Sequence, residues 1–164
     1  MKVAIVYESI WGNTAAIVRA IAEGFGPEAI ALSTRDATSD AIVGLDLLVA
    51  GAPVLGFSLP TDPMRAGIAQ NAGSAPAGDY TSPSMRTWIS RLAPGTGRSA
   101  AFETRIWWSL GGATRAIFSG LEAKGYLPLT NGARFIVQGK YGPLRAGELE
   151  RAKAWGADLR KKLG

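Results

Sequence analysis

Neither cysteine nor histidine occurs among the 164 residues of this chain. Without cysteine there is no disulfide, no thiolate nucleophile and no thiolate metal ligand. Without histidine, the usual imidazole base and the commonest metal ligand are missing as well. A Ser-His-Asp triad or a zinc hydrolase built from this chain alone is therefore excluded, and neither catalytic residues nor metal ligands are expected. Any reaction it supports is expected to draw its reactive group from a cofactor. The apolar runs are too short to span a bilayer, and no basic-then-apolar leader opens the chain. Strand-like residues begin at Lys2, which predicts a cytoplasmic protein starting at its native methionine.

Hydrophobic residues make up 47% and charged residues 19%, which predicts one folded domain over residues 1–164. The net charge is +5. Between Arg145 and Leu163, six basic residues (Arg145, Arg151, Lys153, Arg160, Lys161, Lys162) face three acidic ones. This reads either as a solvated helix face or as a surface for an acidic partner. Nucleic-acid binding would rest on charge alone and is not expected.

Five short apolar segments, each bounded by Gly, Pro or polar residues, read as parallel strands covered on both faces. They are "KVAIVY" (2–7), "EAIALS" (28–33), "DLLVAGA" (46–52), "RSAAFE" (98–103) and "ARFIVQG" (133–139). Helical spacing of Ile17, Ile21 and Phe25 follows the first, and Leu149, Ala152, Gly156, Leu159 and Leu163 repeat it near the end. Further helices are expected over Ser84–Leu92 and about Gly112–Gly125, with a short one near Ser39–Gly44. The Gly/Ala/Ser/Pro-rich stretch 70–84 reads as a long mobile excursion on the ligand-bearing side. Alternation of this kind predicts an α/β three-layer sandwich with a five-stranded parallel sheet, order 2-1-3-4-5, binding ligands beyond the strands' carboxyl ends.

The junction Ser9-Ile10-Trp11-Gly12-Asn13-Thr14 ends the first strand and opens the first helix. Unpaired N–H groups and the helix dipole suit such a turn to an anion. Ser9, Asn13 and Thr14 add short polar side chains, and Gly12 permits close approach. Trp11 is expected to turn outward while its backbone serves the anion. No Lys or Arg lies in the turn, so binding there would rely on neutral hydrogen bonds and the dipole. The residues alone equally allow a simple helix cap. Neither GxGxxG nor GxxxxGK[ST] occurs at this junction, which disfavours dinucleotide and triphosphate loops.

"VYESIWGNTAAIVRAIAEGF" resembles the flavodoxin family signature: an apolar strand, a Ser/Thr-rich loop ending in Gly-x-Thr, then a helix. The resemblance implies a flavodoxin-like fold binding FMN, with its phosphate on Ser9, Gly12, Asn13 and Thr14 and on the backbone of Ile10 and Trp11. It places the flavin ring between the loops after strands three and four. In the first, Pro53, Val54, Leu55, Gly56 and Phe57 are the candidates. Leu55 stands where carriers commonly have a large aromatic, and Phe57 either substitutes or packs in the core.

In the second loop, Glu103-Thr104-Arg105 replaces the family's glycine- and acid-containing turn. Thr104 is a candidate hydrogen-bond partner of the ring. Trp107 or Trp108 either stacks on the ring or packs the loop onto the fold. An Arg105 cation near the ring would favour its anionic reduced form, unless Glu103 pairs with it and cancels the effect. The motifs around "AFETR" and "VQGKYGPLRAGELERAKAWG" are similar to bacterial flavodoxin-domain proteins and, loosely, to menaquinone-dependent protoporphyrinogen oxidases.

The resemblance implies an FMN-dependent oxidoreductase moving electrons from a reduced donor to a quinone-like or protein acceptor. A one-electron carrier and a cofactor-free binding protein on the same scaffold are the alternatives. The carrier's usual acidic surface is missing, so its docking partner would have to be acidic. A phosphoacceptor regulator is excluded, because Ala52-Pro53 ends the third strand where an acid is needed.

Overall fold

A computed structural model describes residues 1–164. Its elements run β1 Val3–Tyr7, α1 Asn13–Phe25, β2 Ala29–Ser33, β3 Leu47–Pro53, α2 Asp62–Gln70, α3 Met85–Arg91, β4 Arg98–Ile106, α4 Thr114–Glu122, β5 Leu127–Pro128, β6 Ala133–Val137 and α5 Glu148–Leu163. The sheet is parallel throughout, in the order β2-β1-β3-β4-β5, with β6 also paired to β4. The fifth position is thus split. β5 pairs with Arg98 and Ser99, and β6 continues alongside Phe102–Ile106. The expected single strand from 133 to 139 ends at Val137, and Pro128, which has no N–H to continue a ladder, closes its short forerunner.

Helices on both faces give the sheet two apolar cores. One gathers Val6, Leu48, Ala50 and Ala101 against Trp88, Ile89, Ile117 and Leu121. The other gathers Ile5, Val49 and Phe102 against Ile17, Ile21, Phe25, Ala152 and Leu159. β1 and β3 are buried almost end to end, as continuous apolar runs in a doubly covered sheet should be. β2 lies at the edge and leaves Ile30 exposed, so it is not the doubly buried strand its composition suggested. On the second face α1 and α5 approach backbone to backbone. A Cβ on Gly156 would lie 2.1 Å from the Ile21 carbonyl oxygen, and one on Gly24 would lie 1.9 Å from that of Lys153.

Two segments differ from expectation. Residues near Ser39–Gly44 form turns rather than a helix, since only Ile42 of that stretch is buried and no continuous apolar face exists. A helix instead forms at Asp62–Gln70, where the Thr61 hydroxyl caps the Met64 N–H at 3.3 Å and Pro63 sits in the first turn. The 70–84 stretch is tied down at its far end. Asp79 N–H donates to the Ile10 carbonyl at 2.8 Å, and Arg65 donates to the carbonyls of Ser82 and Asp79.

Candidate functional site at the carboxyl edge of the sheet

β1 delivers the chain to the centre of the sheet's carboxyl edge, and Gly12 turns it into α1 with φ of 94°, a left-handed conformation that a side chain resists. The Ser9 hydroxyl braces this turn by accepting from the N–H groups of Gly12 (3.1 Å) and Ala15 (3.3 Å). Thr14, buried, bonds the Thr104 hydroxyl across the sheet at 2.8 Å, fixing the turn to the end of β4. The backbone N–H groups of Ile10, Trp11, Asn13 and Thr14 have no acceptor within the protein. A cluster of free N–H groups at a helix start is the geometry that holds an oxyanion.

A cleft open to solvent lies above this turn. Its floor and one wall are Ser9, Ile10, Trp11, Asn13 and Thr14; Pro53, Val54 and Leu55 come from the end of β3, and Thr104 and Arg105 from β4. Ile106, Val137 and Lys140, which sequence reasoning did not single out, complete the lining. Lys140 changes the electrostatics of the site. The turn itself carries no cation, yet tertiary folding brings the exposed Lys140 from the β6–α5 loop into the lining of the cleft, with its ammonium 5.5 Å from the Tyr141 ring centroid.

Trp11 does not turn outward. It is half-buried, with its ring edge-on to Tyr141 at a centroid distance of 4.8 Å, and the Asn13 amide donates to the Tyr141 carbonyl at 3.1 Å. These contacts bind the β1–α1 turn to the β6–α5 loop. Gly12, Gly56, Phe57, Glu103 and Trp107 do not line the cleft. Phe57 is 64% exposed, so it is not a core-packing residue. With Gly56 it forms the positive-φ centre of a turn closed by mutual Leu55–Ser58 bonds of 3.0 and 3.2 Å. Trp107 and Trp108 are exposed too, and do not pack their loop onto the fold.

Glu103 is fully buried and plays a different part. Its carboxylate accepts from the N–H groups of Ala113 (2.6 Å) and Thr114 (3.0 Å), capping α4, and pairs with Arg105 at 2.8 Å and Arg134 at 3.4 Å. Arg105 also donates to the Gly111 carbonyl at 2.8 Å. Arg105 thus lines the cleft as an ion-paired rather than a free cation.

On the other side of β1's end, Glu8 is 1% exposed and accepts from Met85 N–H at 2.8 Å. Arg65 Nε stands 3.1 Å from Glu8 Oε1 but is not aligned as a hydrogen bond, so that oxygen has no donor. Burial pushes the Glu8 carboxyl up to about 7, and the Met85 N–H and Arg65 charge only partly oppose it. The basic stretch on α5 is largely consumed in ion pairs, Arg145 and Arg151 with Glu148, Lys153 with Glu23, Arg160 with Glu28 and Lys162 with Asp158.

No protein-family pattern and no curated protein sequence matches the chain. Among solved structures it is similar to a flavodoxin from the domain Archaea, with 20% identity, 99% of each chain covered and a TM-score of 0.69. It is similar to oxidised flavodoxin 1 from Bacillus cereus at 15% identity, 98% coverage of each chain and a TM-score of 0.66. A third likeness, to rubredoxin oxygen:oxidoreductase from Desulfovibrio gigas, covers 99% of this chain but 36% of that one, at 18% identity and a TM-score of 0.61. With the sheet order and the crossing helices, these likenesses show that the chain has the flavodoxin-like α/β fold.

Proposed function

We propose that the cleft binds FMN and that the protein is a flavin oxidoreductase passing electrons from a reduced donor to a quinone-like or protein acceptor. The observation that carries this reading is the group of acceptor-free N–H groups at Ile10, Trp11, Asn13 and Thr14, with Lys140 lining the same cleft. Those residues fit a phosphate: backbone donors and the dipole at the start of α1 bind its oxygens, and the Lys140 ammonium offsets its charge. Val54, Leu55, Ile106 and Val137 fit the apolar faces of a planar ring. When bound, FMN supplies one- or two-electron chemistry that no side chain of this protein can. The chain's own part is to hold the phosphate, orient the ring and exclude water from it. Thr14 and Thr104 brace the two loops by their mutual bond. Glu103 neutralises Arg105 so that the cleft is less cationic than the sequence suggests.

The test is the colour of the purified protein and the identity of what it releases on denaturation. A yellow protein releasing FMN is expected. Lys140→Ala should then weaken FMN binding by about tenfold, the effect of one lost charge-assisted contact of some 1.5 kcal/mol, measured by quenching of flavin fluorescence. A colourless protein that leaves added FMN fluorescence unquenched overturns the reading and leaves a cofactor-free binding protein on this scaffold.

A further inference from the structure

The connection from β4 to α4 presents two adjacent indoles to solvent. Ser109 N–H donates to the Ile106 carbonyl at 3.0 Å and closes a turn whose central residues are Trp107 and Trp108, 72% and 61% exposed. Leu110, in the same loop, is 71% exposed. Gly112 N–H donates to the Phe57 carbonyl at 3.0 Å, so exposed Phe57 belongs to the same rim. None of these four side chains lines the cleft. Large apolar side chains gathered at one edge mark a contact surface.

The surrounding charge is predominantly positive. From Thr104 to Gly147 the chain has six basic residues and a single acid, Glu122. Glu122 and Lys124 lie at the far end of α4, where the Lys124 carbonyl meets Gly95 just before β4 begins. Arg145 is paired with Glu148. Near the apolar rim, the buried carboxylate of Glu103 is shared by Arg105 and Arg134, and exposed Arg115 makes no ion pair. Asp62, the next acid after Phe57, gives its carboxylate to the Thr87 hydroxyl.

We propose that this rim docks on the surface of an anionic lipid bilayer, with Trp107, Trp108, Leu110 and Phe57 entering the headgroup boundary and the neighbouring cations meeting lipid phosphates. Indoles suit that boundary because they are apolar bodies with one polar N–H. Shallow apolar insertion together with a cationic surround is the usual two-part basis of peripheral membrane binding. A second copy of the chain fits less well, since it would bring two predominantly cationic rims together.

The test needs no cofactor. The full chain is sedimented with vesicles of phosphatidylcholine alone and of equal parts phosphatidylcholine and phosphatidylglycerol. Binding to the second kind only, reduced by salt and accompanied by a blue shift of tryptophan emission, is expected. The double variant Trp107→Ser/Trp108→Ser should lose at least about tenfold in apparent affinity, and Arg115→Glu about fivefold or more. Both sites are exposed, and circular dichroism should show unchanged folding. The proposal is overturned if the wild type ignores anionic vesicles or the double variant binds as well as the wild type. It is also overturned if the indoles instead mediate self-association in sedimentation velocity, or retention on an acidic polypeptide but not on vesicles.

Discussion

Two glutamates lie toward the carboxyl ends of β1 and β4, the two strands that flank β3, and they are treated differently. Glu103, in β4, is met by two backbone N–H groups of α4 and by two guanidinium groups. Glu8, just beyond β1, has one N–H donor and a guanidinium that is close but misaligned. Both carboxyls are buried to the same degree, so burial is not what separates them. The difference is the number of donors aimed at the oxygens. A buried carboxylate with several aligned donors acts as a structural hub, whereas one with few is pushed toward its neutral form.

The largest expected effect comes from breaking the well-served site. Glu103→Ala uncaps α4 and strands Arg105, which is 7% exposed, and should cost about 3–5 kcal/mol of stability by urea unfolding. A loss under about 1 kcal/mol would show that the hub is not structural.

The poorly served site should show itself through pH. Raising the Glu8 carboxyl from 4.5 to about 7 in the folded state means that the folded chain holds this proton more tightly than the unfolded one. Its contribution is fully present below pH 4.5 and is lost as pH rises toward 7, amounting to roughly 3 kcal/mol at about 1.4 kcal/mol per pKa unit. Stability should therefore fall across that window in the wild type, and Glu8→Gln should remove this component of the slope. Parallel pH profiles for the two proteins would refute the assignment.

The smallest effect sharpens the comparison from the solvent side. Arg134 touches Glu103 but is 66% exposed, so Arg134→Ala should change stability by less than about 1 kcal/mol. A larger loss in the same urea assay would mean that Glu103 depends on all of its donors.

Much of the architecture was legible. Continuous apolar runs at β1, β3 and β4 identified strands covered on both faces, and the spacing of Ile17, Ile21 and Phe25 identified a helix lying on them. The edge position of β2 was not legible, because an apolar composition does not say which face will be covered. α2 was also missed. Its residues, Asp62–Gln70, show little apolar periodicity, and the helix is held by the Thr61 cap, Pro63 and the buried Arg65. Within the cleft, the local turn Ser9–Thr14 was readable because its donors are contiguous in sequence. Lys140 was not, being 126 positions beyond Thr14.

The sequence by itself determined the fold class and the exclusion of cysteine and histidine chemistry. Both depend on local pattern or on composition, which need no knowledge of distant neighbours. Tertiary structure alone decided that Trp11 packs on Tyr141, that Glu103 cancels Arg105, and that a lysine reaches a loop that has none. Those outcomes depend on which side chains the crossovers bring within a few ångströms, and the energy of a charge or a hydrogen bond is set at that distance.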